Sequence, residues 1–122
     1  MKMKLLIVIV EDPDKIEPLM DSWYEHNISG ATIIDSRGMG HVIADHYSIF
    51  SRFSDLTGAR GGSYHNNVIF TVIEKEEILE KAIQDVYNII GDLNKPDTGL
   101  LFTLPIGRVE GLKTPLPDDD NL

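Results

Sequence analysis

The side chains of this chain able to do chemistry gather in two stretches. The first runs from residue 41 to 66 and holds His41, His46 and His65, three of the four histidines. Imidazole suits zinc, copper and nickel, and Asp45 would add an oxygen ligand. The five-residue step from His41 to His46 does not share one helical face. These histidines are therefore either a convergent metal set or solvated loop residues. In "TGARGGSYHNN", residues 57–67, Gly58, Gly61 and Gly62 with Arg60 offer backbone N–H groups and a guanidinium to an anion. The same glycines equally serve as turn positions. No strand–GxxxxGK[ST]–helix context accompanies them, so a P-loop is not indicated. Ile49, Phe50 and Phe53 have the spacing of one face of a short helix. With Arg60 and Tyr64 they would form a partner-docking loop, or else the apolar stripe packs within the protein.

The second stretch is "NKPDTG", residues 94–99, between a helical pattern and an apolar run. Lys95, Asp97 and Thr98 can hold a phosphate or a ribose; alternatively Pro96 and Gly99 simply fix a tight turn. No spacing selects a catalytic triad or a nucleophile elbow. Glu76 and Glu77 stand where a helix begins and read as capping residues. No enzyme is expected, and no cofactor is required.

Composition narrows the classes further. At 122 residues, 42% hydrophobic and 25% charged, the chain reads as a single domain spanning 1–122. A net charge of −9 argues against nucleic acid, whose phosphates it would repel. Part of that charge is a C-terminal run, Asp118 to Asp120, which reads as a solvated tail. The absence of cysteine excludes thiol catalysis and fits the cytoplasm. The apolar run Leu5 to Val10 is too short for a secretory segment or a membrane span, so a cytoplasmic protein without membrane insertion is expected.

The elements that would position these residues follow from periodicity. "KLLIVIV" is continuously apolar and predicts a central strand covered on both faces. A helix is predicted from near Pro18, with Leu19, Met20, Trp23 and Tyr24 on one face and Asn27 as its left-handed stop. His26 would serve that helix's dipole. Strands are predicted at "GATIIDS" and "NVIFTVI". "EKEEILEKAIQDVYNII" then places Ile78, Leu79, Ala82, Ile83, Val86 and Ile90 on one stripe ending at Gly91. "GLLFTLP" is the last strand. The order β-α-β-loop-β-α-β predicts an α+β, ferredoxin-like βαββαβ sandwich: a four-stranded antiparallel sheet with two helices on one face. The other sheet face would be left apolar and open, which predicts an oligomer.

"LLIVIV…EPLMDSWYEHNISGATIIDSRGMG" and "IGDLNKPDTGLLFTLPIGRVEGLKT" resemble the opening and the closing parts of the PII signalling proteins. The resemblance spans nearly the whole chain and is most specific at residues 28–40 and 96–105. It implies a homotrimer that binds an adenine nucleotide in clefts between subunits. A long exposed T-loop, here residues 41–66, would control a transporter, enzyme or regulator in nitrogen or carbon metabolism. Residues 106–122 would be the C-terminal segment. Carried onto this chain, the resemblance puts Thr32 near the adenine, Gly38 and Gly40 at the T-loop base and Asp97 in the phosphate-binding B-loop. Arg37, Lys95, Thr98, Gly99 and Lys113 complete the effector cleft. A typical member reads Gly-Asp-Gly-Lys where this chain reads "PDTG", residues 96–99, so the family's lysine falls on Gly99. The family's two arginines fall on Glu110 and Leu112. A triphosphate needs cations or converging N–H groups to offset its desolvation, and their loss disfavours it here. Tyr47 and Tyr64 lie in the loop, neither in the family's modification motif. A trimeric metal-binding protein of the same fold, similar to the CutA proteins, would use His41, His46 and His65 instead.

Overall fold

A computed structural model describes residues 2–46 and 65–113, and of residues 44–46 and 65 the backbone alone. β1 (Lys4–Val10) is followed by a 3-10 turn (Pro13–Lys15), α1 (Ile16–Glu25), β2 (Thr32–Arg37), α2 (Met39–His46), β3 (His65–Ile73), α3 (Glu76–Ile89) and β4 (Gly99–Pro105). The sheet order is β2-β3-β1-β4 and every neighbouring pair is antiparallel. This is the expected ferredoxin-like arrangement, with α1 and α3 packed against each other over the sheet.

Alternation in β1 builds the core. Leu6, Val8 and Val10 are fully buried against Leu19 and Trp23 of α1, Leu79, Ala82 and Val86 of α3, and Ile69 and Ile73 of β3. The Trp23 indole N–H donates to the Ala82 carbonyl at 3.1 Å, which ties α1 to α3 and satisfies the ring's one donor. Tyr24, expected on the same face, is 72% exposed, because the turn that buries Trp23 points its neighbour outward.

Among the described residues only one face of β1 is covered, which leaves open the apolar face expected to be buried between copies. Leu5, Ile7 and Ile9 are only half-buried. The register sets Leu5 beside Val72 and Leu104, Ile7 beside Phe70 and Phe102, and Ile9 beside Val68 and Leu100. Ile34 extends the row next to Val68. Among the described residues this apolar face has no second layer.

Local chemistry sets the helix ends. α1 starts at Ile16, two residues ahead of Pro18, which sits in the first turn where its missing N–H costs nothing. Asn27 takes a left-handed φ of 69°. Ile28 N–H reaches the Trp23 carbonyl (2.9 Å) and Asn27 N–H the Tyr24 carbonyl (3.1 Å), the paired bonds of a Schellman stop. Gly91, at φ 100°, ends α3 by a bond to the Tyr87 carbonyl. Glu76 and Glu77 occupy the first turn of α3 without capping it: Lys75 is the N-cap and contributes no side-chain bond. Their contribution is to the dipole.

His26 does more than face a dipole. Its Nδ1 lies 2.7 Å from Oδ2 of Asp85, a carboxylate on α3 whose residue is only 4% exposed. His26→Ala strands that buried carboxylate, so urea denaturation should show a loss of about 1–3 kcal/mol. Adding Asp85→Asn should recover part of the loss, because a neutral amide is cheaper to leave buried.

Candidate functional site

β2 pairs with β3 from Thr32, opposite Phe70, to Arg37, opposite His65. Beyond Phe70, β3 runs on through Thr71, Val72 and Ile73 with no β2 residue beside it. These residues form one wall of a pocket of about 410 Å³. Asn27, Ile28, Ser29 and Gly30, which lead into β2, also line it, as do Ile78, Leu112 and Lys113. Lys75 and Glu74 sit at its rim between β3 and α3. Among the described residues neither Lys75 nor Lys113 is ion-paired. The pocket therefore combines an aliphatic floor with hydroxyl, amide and ammonium groups, the composition of small-molecule sites.

The second group lies at the other end of the sheet. Gly99 opens β4 opposite Val10, and Val10 in turn faces Asn67 of β3. The preceding turn closes on itself. Lys95 N–H donates to the Asp92 carbonyl (3.1 Å), Asn94 N–H to Asp92 Oδ1 (2.9 Å), and the Thr98 hydroxyl to the Lys95 carbonyl (2.9 Å). Asp97 holds a left-handed φ of 61°, tolerated by a short polar side chain. Glu11 N–H reaches the Thr98 carbonyl at 3.4 Å, which fastens the turn to the end of β1. A Cβ at Gly99 would overlap the Ile9 carbonyl oxygen and stand 3.3 Å from its carbonyl carbon. No side chain, and so no cation, fits there.

Arg37 and Gly38 belong to that same end but to the opposite edge of the sheet. Three strand spacings separate β2 from β4, about 14 Å. Gly38 leaves room for the Asn66 amide, whose nitrogen would lie 3.0 Å from a Cβ there. Asn66 Oδ1 is buried without a hydrogen-bond partner among the described residues. Gly40, expected at a loop base, lies instead in the first turn of α2. The 41–66 insertion thus leaves the sheet as a helix and returns as a strand from His65, two residues before the predicted one.

Of the expected cleft residues, Lys95, Asp97, Thr98 and Gly99 share the turn before β4, while Arg37 and Gly38 stand apart from them on the far edge of the same end. Thr32 lies midway along the open face, and Lys113 is at the pocket. Sequence reasoning missed Lys75, Asn27, Ser29 and Thr71. Lys75 carried a faint signal as the cation inside the acidic run "EKEE". Glu110, where the family has an arginine, is met by Arg108 at 2.5 Å on the exposed surface, and neither lines the pocket.

Among the described residues no group of three His, Cys, Asp or Glu side chains could hold a metal ion. His41 is half-buried on α2, while the Asp45, His46 and His65 side chains lie outside the described residues, as do Tyr47, Ile49, Phe50, Phe53, Gly58, Arg60, Gly61, Gly62 and Tyr64. No described helix is long and apolar enough to cross a membrane.

No protein-family model matches the sequence, and no curated protein matches it either. Solved structures do. The chain is similar to Arabidopsis thaliana PII bound to citrate, at 19% identity and TM-score 0.59, covering 86% of this chain and 78% of that one. It is similar to B. subtilis GlnK (12% identity, TM-score 0.58, 88% and 87% covered) and to the B. subtilis GlnK–ATP complex (11%, 0.55, 86% and 82%). Resemblance in sequence and likeness in backbone thus converge on one architecture: the chain has the PII-like fold.

Proposed function

We propose that this chain is a cytoplasmic PII-like regulatory protein. Three copies associate through the open apolar sheet face, and a small effector, an adenine nucleotide by likeness, binds in the clefts between them. Its occupancy changes the order or position of residues 41–66, which engage a target protein such as a transporter, an enzyme or a regulator. The effector must favour one loop state over the other, or it shifts nothing. The setting in nitrogen or carbon metabolism rests on resemblance alone.

One observation carries this reading. The pocket at the end of β3 and the turn before β4 lie at opposite ends of one sheet, six residues apart along β3 from Asn67 to Ile73, or about 20 Å. A nucleotide-sized ligand cannot touch both in a single chain. It can do so only where one copy's pocket faces another copy's turn. The uncovered apolar face supplies the association, because an exposed contiguous patch of this kind marks an interface. The structures bound to citrate and to ATP show that this fold accommodates small anionic ligands in other proteins.

Sedimentation equilibrium should give three times the 13.7 kDa chain mass. Limited proteolysis of residues 41–66 should change when adenine nucleotide is added. A single 13.7 kDa species at working concentration would remove the cleft and this reading with it.

A further inference from the structure

The charges around the two halves of the cleft specify the effector more narrowly than the fold does. The geometry points to an organic ligand bearing a single phosphate, its anionic group held by Lys75 and Lys113 and its body against Ile28, Ile78 and Leu112. This inference rests on the inter-subunit cleft proposed above.

The pocket is lined by two ammonium groups without an ion-paired partner among the described residues, Lys75 and Lys113, and by one carboxylate, Glu74. That surplus suits one compact anion, and charge-assisted bonds from lysine hold it firmly. The pocket lining is mainly aliphatic, with the Ser29 and Thr71 hydroxyls and the Asn27 amide among it, which suits a flat ring with polar edges. The turn before β4 offers the reverse. Lys95 is outnumbered there by Asp92 and Asp97, with Glu11 fastened beside them at the end of β1. Its Thr98 hydroxyl proton is committed to the Lys95 carbonyl, and Gly99 has no space for a cationic side chain. A second or third phosphoryl group extending from the pocket toward such a turn meets carboxylates in a partly desolvated cleft, where like charges repel strongly. The added charge weakens binding instead of strengthening it.

Calorimetry on the assembled protein with AMP, ADP, ATP and adenosine, in EDTA, tests this. AMP should bind at least tenfold more tightly than ATP, with ADP between. Lys75→Ala and Lys113→Ala should each weaken AMP about tenfold and leave adenosine nearly unchanged. Asp97→Asn combined with Glu11→Gln should narrow the gap between AMP and ATP. ATP binding as tightly as AMP, or AMP indifferent to both lysines, overturns the inference while leaving the regulatory reading intact. Silence with all four ligands overturns it as well. Sedimentation of the same sample then shows whether the assembly has also failed.

Discussion

Gly99→Ala should lower the unfolding free energy by about 3–5 kcal/mol, which is steric overlap added to backbone strain. Gly99 is the first residue of β4 and pairs with Val10 on β1. Its φ of 155° and the Ile9 carbonyl leave no space for a methyl group. A clash with main chain cannot be relieved by rotating a side chain. Either β4 shifts off β1, or the turn carrying Asp97 and Thr98 moves. Thermal denaturation should therefore show one of the largest single-site losses in the protein, and Gly99→Lys should be no better tolerated. Inserting the family's lysine here would break the strand before it could reach a phosphate. Pro96→Ala, one turn earlier at an exposed position, is the comparison and should cost little. If Gly99→Ala melts like the unaltered protein, the close approach to Ile9 is wrong, and so is the exclusion of a cation at this position.

The second large effect is on assembly. Phe102 lies in the middle of β4, opposite Ile7, on the face away from α1 and α3, and is 38% exposed in a single chain. Leu100 and Leu104, at 53% and 47%, flank it. Phe102→Asp removes a large apolar contact, worth about 1.5–3 kcal/mol when fully buried, and puts an unpaired charge in its place. Repeated in every copy, this should raise the dissociation constant at least 100-fold (about 2.7 kcal/mol). The monomer should remain folded, since the residues under α1 and α3 are untouched. Sedimentation would report the loss of assembly, and far-ultraviolet circular dichroism would report the retained fold. Phe102→Leu should stay assembled. Unchanged sedimentation of Phe102→Asp would show that this face is not the contact between copies.

The organisation of the fold was legible because its signals are local. The α3 stripe from Ile78 to Ile90 and the stops at Asn27 and Gly91 follow from helical period and from which residues accept a positive φ. The strand–helix order then left few topologies, and right-handed crossovers selected the one found. Other features were not legible. The run "KLLIVIV" by itself reads the same whether one face or both are covered; only the strand–helix order predicted an open face, and the described residues cover the other one. Tyr24 fits an apolar stripe in sequence yet faces solvent, because α1 is rotated to bury Trp23. His26 gave no sign of Asp85, 59 residues away.

The candidate site divides along the same line. Composition excluded thiol chemistry, the residue types of "NKPDTG" suggested Lys95, Asp97 and Thr98, and only the resemblance to PII proteins added Gly99 and Lys113 as expectations. Where those residues stand relative to one another, with Lys113 and Lys75 lining one pocket at one end of the sheet and the turn of Asp97 and Thr98 fastened to Glu11 at the other, was decided by strand register and helix packing. Period, charge and turn preference are properties of neighbours along the chain, so the sequence carries them openly. Juxtaposition comes from many weak contacts between distant segments, and no short stretch of residues encodes their sum.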